Sequence, residues 1–110
     1  IRPMIKRLVK GLLARQGFEL VHAAARDAQA IADLSPADRA IVQRVAPFTM
    51  TGLDRRAALI NAIDHVVRAG IPGAIVECGV WRGGSMMTAA LALRDRGQTD
   101  RELWLYDTFE

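Results

Sequence analysis

The spacing of apolar residues predicts that the first part of the chain is helical. In residues 4–15 the apolar positions recur three or four residues apart and form one face, as in an amphipathic helix. Residues 18–33 are rich in alanine and predict a second helix with a weaker periodicity. A third helix is expected to begin at Ser35, and a fourth to run from a cap at Thr51 to about Ala69.

In the remainder of the chain the pattern changes to short runs rich in β-branched residues. Residues 74–78 are apolar until their last positions, which is typical of a buried strand in a parallel sheet. A glycine-rich loop over residues 79–84 leads into a helix over 85–94, and residues 103–106 form a second strand-like run. The order strand, loop, helix, strand predicts one βαβ unit, which places the chain in the α/β class.

Composition excludes several classes of protein. The 110 residues are 51% hydrophobic and 25% charged, which is ordinary for a soluble globular domain. No apolar run is long enough to span a membrane. The single cysteine, Cys78, excludes an internal disulfide framework and fits a reducing, cytoplasmic location. His22 and His65 lie too far apart in sequence to form a metal-ligand motif.

The net charge of +3 is only a mild basic excess. Its densest part lies between Arg2 and Arg15, on the polar side of the first predicted helix. Few charges are involved and no aromatic residues alternate with them, so we interpret this run as a solvated helix face. We therefore expect neither nucleic acid nor a membrane as a partner.

Acidic residues and glycines cluster where a parallel sheet binds ligands. Glu77 lies at the end of the first strand, and Gly79, Gly83 and Gly84 follow in the loop that opens the next helix. Ligands of open α/β sheets bind at the carboxyl ends of strands, where glycine permits close approach and helix amides face outward. Asp107 ends the second strand, a position from which a carboxylate can accept from both ribose hydroxyls. The arrangement predicts a site for an adenosine-containing cofactor.

The loop favours S-adenosylmethionine over a nicotinamide dinucleotide. Trp81 stands where the second glycine of a dinucleotide-binding loop admits the pyrophosphate. The carboxylate of Glu77 would repel a pyrophosphate but attract the ammonium and sulfonium groups of S-adenosylmethionine. A nicotinamide-dependent oxidoreductase is the second hypothesis, and an α-helical interaction module that binds no small ligand is the third.

Four segments together resemble the macrocin O-methyltransferase family. They are FTMT at 48–51, VRAGIPG at 67–73, IVECGVWRGGS at 75–85 and LWLYDTFE at 103–110. The resemblance implies a Rossmann-like methyltransferase fold, of which the chain would hold the first βαβ unit. It also implies S-adenosylmethionine and magnesium (Mg2+) as cofactors. The implied acceptor is a small molecule, a hydroxyl of a sugar or of another natural product.

The resemblance also implies roles for individual residues. Glu77 and Gly79 would line the methionine end of the cofactor, and Asp107 would hold its ribose. The residues that would shape the loop around the cofactor are Val80, Trp81, Gly83, Gly84 and Ser85. Met50 and Thr51 belong to the segment that covers the cofactor and acceptor pocket in the family.

Both ends of the chain suggest a piece of a longer protein. It begins at Ile1 rather than at a methionine and stops at Glu110, directly after a strand-like run. The family's catalytic base and metal-binding aspartates are expected downstream, so no catalytic residue or metal ligand is assigned, and this part alone is expected to be inactive. Residues 1–70 are interpreted as a lid or dimerisation region of a homo-oligomer, and 71–110 as the start of the cofactor-binding domain.

Overall fold

A computed structural model describes residues 2–19 and 23–110. The described residues form five α-helices, one 3₁₀ turn and two strands. In chain order these are α1 (Arg2–Arg15), α2 (Ala23–Ala32), α3 (Pro36–Arg44), the 3₁₀ turn (Ala46–Phe48), α4 (Leu53–Arg68), β1 (Ile75–Cys78), α5 (Gly84–Asp95) and β2 (Leu103–Tyr106). The predicted α/β class and the order of the last three elements are confirmed.

The two strands pair in parallel, and α5 connects them. Ile75 lies opposite Leu103 and Cys78 lies opposite Tyr106, so both strands end at the same edge of the sheet. The backbone N–H of Gly79 continues the ladder by donating to the carbonyl of Tyr106 at 2.8 Å. This register places the residues that follow Cys78 and Tyr106 beside each other, which is the geometric basis of the site described below.

One hydrophobic core joins the helices that precede the sheet to α5. Its most deeply buried large residues include Val42 and Val45 at the end of α3 and Ile60 in α4. The α5 residues that complete it are Met86, Ala89, Ala92 and Leu93. Small side chains on α5 let α4 pack closely against it, so the helix that leads out of the glycine loop is held by the helices that precede the sheet.

An ion-pair cluster closes the far end of this helical core. Arg96, directly after α5, forms a two-point contact with the carboxylate of Asp38 on α3, with both N–O distances at 3.1 Å. Its Nε also donates to Asp64 of α4 at 2.9 Å. The two carboxylates raise the pKa of Arg96, and the hydrogen bond from Arg96 lowers the pKa of Asp64. One guanidinium therefore ties three helices together.

Two details of the helix prediction are wrong. Helix α2 begins at Ala23, and residues 18 and 19 are not helical; of the predicted segment, residues 20–22 lie outside the described residues. Thr51 does not cap α4, because Gly52 holds the N-cap position without a side-chain hydrogen bond. The hydroxyl of Thr51 is instead paired with the hydroxyl of Thr49 at 2.8 Å.

The expectation of a buried first strand is also wrong in part. Val76 and Cys78 are exposed, while Ile75 and Glu77 are half-buried. Because α5 covers only one face of the two-stranded sheet, alternate residues of β1 face outward. Helix α1 likewise keeps its apolar face exposed, including Leu8 and Leu12. None of the described helices combines the length and apolar character needed to cross a bilayer.

Replacing Arg96 with methionine is expected to lower the free energy of unfolding by about 2–4 kcal/mol, because Asp38 would be left with little solvent and no cationic partner. Arg94→Met is the matched control, since Arg94 pairs with Asp95 at the surface and its side chain is 57% exposed. That control is expected to change stability by less than about 0.5 kcal/mol. Urea denaturation of the protein measures both, and equal losses would show that the cluster contributes nothing beyond a surface pair.

Candidate functional site

A small crevice lies at the carboxyl end of β1, between the glycine loop and the segment before α4. Its volume is about 140 Å³. The residues that line it are Phe48, Thr49, Met50, Thr51, Glu77, Gly79, Val80, Trp81, Gly84 and Ser85. Eight of the ten residues that the sequence predicted as cofactor-binding line this crevice. The predicted residues outside the lining are Gly83 and Asp107.

A larger open hollow of about 410 Å³ lies at the opposite end of the sheet, between Gly73 and Glu102. Arg101 borders it, but its guanidinium donates to the backbone carbonyls of Gly73 at 2.6 Å and Ile71 at 2.9 Å. That side chain therefore fastens the turn before β1. Parallel sheets bind their ligands at the other edge, so the smaller crevice is the candidate site.

Glu77 brings a carboxylate with one unsatisfied oxygen to the crevice. Its Oε2 is buried and accepts no hydrogen bond from any described residue. Burial raises the pKa of Glu77, the hydroxyl of Ser85 opposes that shift, and the negative charge of Asp107 adds to it. A buried carboxylate oxygen without a donor is costly, and a cationic or hydrogen-bonding ligand in the crevice would remove that cost.

The segment 48–51, which we call the strap, forms another part of the crevice lining. Within it, the hydroxyl of Thr49 accepts from the backbone N–H of Thr51 at 3.1 Å and pairs with the Thr51 hydroxyl. The strap touches the start of α5 at Gly84, where an added Cβ would lie 2.5 Å from the carbonyl oxygen of Phe48 and 2.5 Å from Cβ of Thr49. Only glycine allows this approach, so Gly84 sets the width of the crevice.

Phe48 and Thr49 were not among the residues predicted for the site, although both line the crevice. Thr49 and Phe48 lie 35 and 36 positions before Gly84, so no local sequence pattern indicates their contact with it. The side chain of Met50 is 77% exposed at the crevice. The strap therefore forms one wall of the crevice. The hydroxyls of Thr49 and Thr51 pair with each other, and the flexible thioether of Met50 is exposed to solvent.

The loop between β1 and α5 is held by Asp107. Oδ2 of Asp107 accepts from the backbone N–H of Val80 at 2.6 Å and of Trp81 at 3.0 Å. Oδ1 has longer contacts, at 3.3 Å, with the N–H of Phe109 and the hydroxyl of Thr108. Hydrogen bonds from the backbone of Trp81, Val80 and Phe109 lower the pKa of Asp107 to about 2, so this carboxylate is ionised at neutral pH.

Trp81 adopts a backbone conformation that aromatic residues rarely take. Its φ is +52°, in the left-handed region, which costs a residue with a Cβ roughly 1–2 kcal/mol. The guanidinium carbon of Arg82 lies 4.8 Å from the centroid of the indole ring, so Arg82 stacks on Trp81. Gly83 closes the turn through its N–H to the carbonyl of Val80 at 2.9 Å, and it is the N-cap of α5.

A metal site does not form among the described residues, which contain no group of three or more His, Cys, Asp or Glu side chains that could hold an ion. The donor set at the crevice is one carboxylate, glycine backbone and threonine and serine hydroxyls. These groups suit a small organic cation better than a magnesium ion, which requires a near-octahedral set of oxygens.

The sequence that forms this site matches a known protein family. The family model described as Macrocin-O-methyltransferase (TylF) matches residues 8–110. The 8-demethyl-8-(2,3-dimethoxy-alpha-L-rhamnosyl)-tetracenomycin-C 4'-O-methyltransferase of Streptomyces olivaceus is 45% identical over 62 residues, which are 56% of this chain and 24% of that protein. No solved structure matches the chain.

Two further relatives match over stretches of the same length. The Mycinamicin III 3''-O-methyltransferase of Micromonospora griseorubida is 37% identical, and the Demethyldecarbamoylnovobiocin O-methyltransferase of Streptomyces niveus is 36% identical, each over 62 residues. Each match covers 56% of this chain and 24% of the relative. The chain thus matches about a quarter of the length of these curated relatives.

Gly84→Ala is expected to destabilise the protein by roughly 1–3 kcal/mol, because its Cβ must displace the backbone of the strap. Gly11→Ala is the matched control: Gly11 lies within helix α1 with nothing within 4 Å of an added Cβ. Its substitution is expected to leave stability unchanged or to raise it by less than about 1 kcal/mol. Chemical denaturation measures both variants, and an unaffected Gly84→Ala protein would show that the strap is not packed against α5.

Proposed function

The chain belongs to the macrocin O-methyltransferase family, and from that premise we propose that it binds S-adenosylmethionine as part of a methyltransferase acting on a hydroxyl. Its βαβ unit would then be the first unit of a Rossmann-like methyltransferase fold. The observation that carries the proposal is the buried, unpartnered Oε2 of Glu77, at a crevice formed by the glycine loop and the strap. That oxygen requires a donor, and a cationic donor satisfies it best.

The crevice residues and the neighbouring Asp107 fit different parts of S-adenosylmethionine. We assign Glu77 to the ammonium group of the methionine end, with Gly79 giving the backbone room to approach. Ser85 and the N-terminus of α5 would complete that end, and Asp107 would accept from the ribose. The Oδ1 atom of Asp107 suits that task, because its two contacts are long whereas Oδ2 is bound to the loop amides.

When bound, S-adenosylmethionine would supply a methyl group whose carbon an acceptor oxygen can attack in line, with the neutral thioether of S-adenosylhomocysteine as the leaving group. The contribution of this chain would be positional. The strap and Trp81 form the walls that align the donor and exclude water, and the carboxylate of Glu77 opposes the positive charge of the cofactor. The deprotonation of the acceptor is assigned to no described residue, and magnesium is given no role in these steps.

The class of acceptor is proposed from the relatives. The name of the first relative places the methyl on the 4' oxygen of a rhamnosyl tetracenomycin, and that of the second on the 3'' oxygen of mycinamicin III. The third is named as an O-methyltransferase of demethyldecarbamoylnovobiocin. We propose a hydroxyl of a sugar or of another natural product as the acceptor here. An acceptor of this kind could approach past Met50 and Trp81, which are both largely exposed at the crevice.

Glu77→Gln is expected to weaken binding of S-adenosylhomocysteine about tenfold or more, since a neutral amide replaces the carboxylate that pairs with the ligand's ammonium. The matched control is Glu102→Gln, because Glu102 lies before β2 at the other end of the sheet, and among the described residues its side chain accepts only from the indole N–H of Trp104. Calorimetric titration of the complete protein measures both. A parallel titration with NADH tests the oxidoreductase hypothesis; binding of NADH alone, or of neither ligand, would overturn the proposal.

The affinity for S-adenosylhomocysteine is also expected to depend on pH through Glu77. Burial raises the pKa of Glu77, so in the free protein this carboxyl loses its proton at a higher pH than an exposed glutamate does. Because the ammonium binds the ionised carboxylate, affinity should rise as the pH increases through that pKa and then level off. Asp107, with a pKa of about 2, stays ionised throughout. Glu77→Gln should remove the pH dependence of the affinity. If the Glu77→Gln protein kept the pH profile of the unaltered protein, another group would be responsible for it.

A further inference from the structure

Trp81 occupies a left-handed backbone conformation in a loop where the flanking glycines would permit many others. Gly79 and Gly83 on either side have φ values of +85° and impose little restriction on the chain between them. A bulky aromatic residue avoids this region unless its surroundings hold it there. The question is which group holds Trp81.

The contacts of the loop point to Asp107. Its Oδ2 accepts from two successive backbone N–H groups, those of Val80 and Trp81, so both peptide units are turned toward one oxygen atom. Converging amides of this kind form an anion-binding turn, and a carboxylate fixed in that turn holds the backbone angles on either side. The stacked Arg82 cannot do this, because it is bound to the indole ring rather than to the backbone, and both side chains are exposed.

We propose that Asp107 is a positioning residue of the cofactor site, which holds Trp81 in the left-handed conformation and thereby sets its indole against the crevice. The inference rests on the proposed function for the identity of the ligand. The two hydrogen bonds from the loop backbone to Oδ2 of Asp107, which we call the clamp, are present in the free protein. It assigns the two oxygens of Asp107 different tasks: Oδ2 holds the loop, and Oδ1 is left for a ribose hydroxyl. Loss of Asp107 would then act on the ligand largely through Trp81.

A double-mutant cycle separates this role from that of a ribose ligand alone. Asp107→Ala is expected to weaken S-adenosylhomocysteine binding about tenfold or more in the protein with Trp81. In a Trp81→Gly background the same substitution should cost at least about threefold less, because glycine takes the left-handed conformation without a clamp. Equal losses in the two backgrounds would overturn the proposal and leave Asp107 as a ribose ligand.

A second measurement needs no ligand. In a Trp104→Phe background Trp81 is the remaining tryptophan, and Asp107→Ala should lower its fluorescence anisotropy in the free protein. Thr108→Val is the matched control, since Thr108 touches only Oδ1, and it should leave the anisotropy unchanged. Unchanged anisotropy in Asp107→Ala would overturn the clamp. If the unaltered protein binds no S-adenosylhomocysteine, the proposed function fails, and the anisotropy still decides whether Asp107 holds Trp81.

Discussion

Parallel pairing of two short strands is the constraint on which the candidate site depends. Because Cys78 lies opposite Tyr106, the chain leaves both strands at the same edge, with Gly79 bonded back to Tyr106. A shift of this register by one residue would turn the side chains of β2 to the other face and carry Asp107 away from the amides of Val80 and Trp81. The loop conformation and the position of Glu77 therefore follow from four residue pairs.

The helical core also holds the elements around the carboxyl ends of the two strands in place. The packing of α4 against α5 fixes the start of α5, and the strap that leads into α4 meets Gly84 at the same place. The glycine loop and the strap, which form the crevice, thus lead into α5 and α4, and these two helices pack together in the core. Because close-packed interiors transmit displacements, substitutions at small buried residues of α5, such as Ala89 and Ala92, should change the shape of the crevice.

Much of the fold could be predicted from sequence because its signals are local. The apolar runs at 75–78 and 103–106, the glycines between them and Ser35 before α3 each mark their element within a few residues. The rest depends on side-chain contacts and burial that the pattern of apolar residues and glycines does not encode. The prediction of Thr51 as a cap overlooked the competing hydroxyl of Thr49, and a buried β1 would require a layer on the face where Val76 is exposed. The hydrogen bond from the backbone N–H of Trp81 to Asp107 joins residues 26 apart in sequence, which no local pattern reveals.

The contact of Arg96 with Asp38 also has a consequence for behaviour in concentrated electrolyte. Mobile ions weaken attraction between charges that water can reach, but a pair whose side chains are only 17% and 11% accessible is largely shielded from them. The ion pair that joins α3, α4 and α5 should accordingly persist at high ionic strength, where the exposed ion pair of Arg94 with Asp95 is screened. A crevice whose walls depend on those helices inherits the same tolerance of salt.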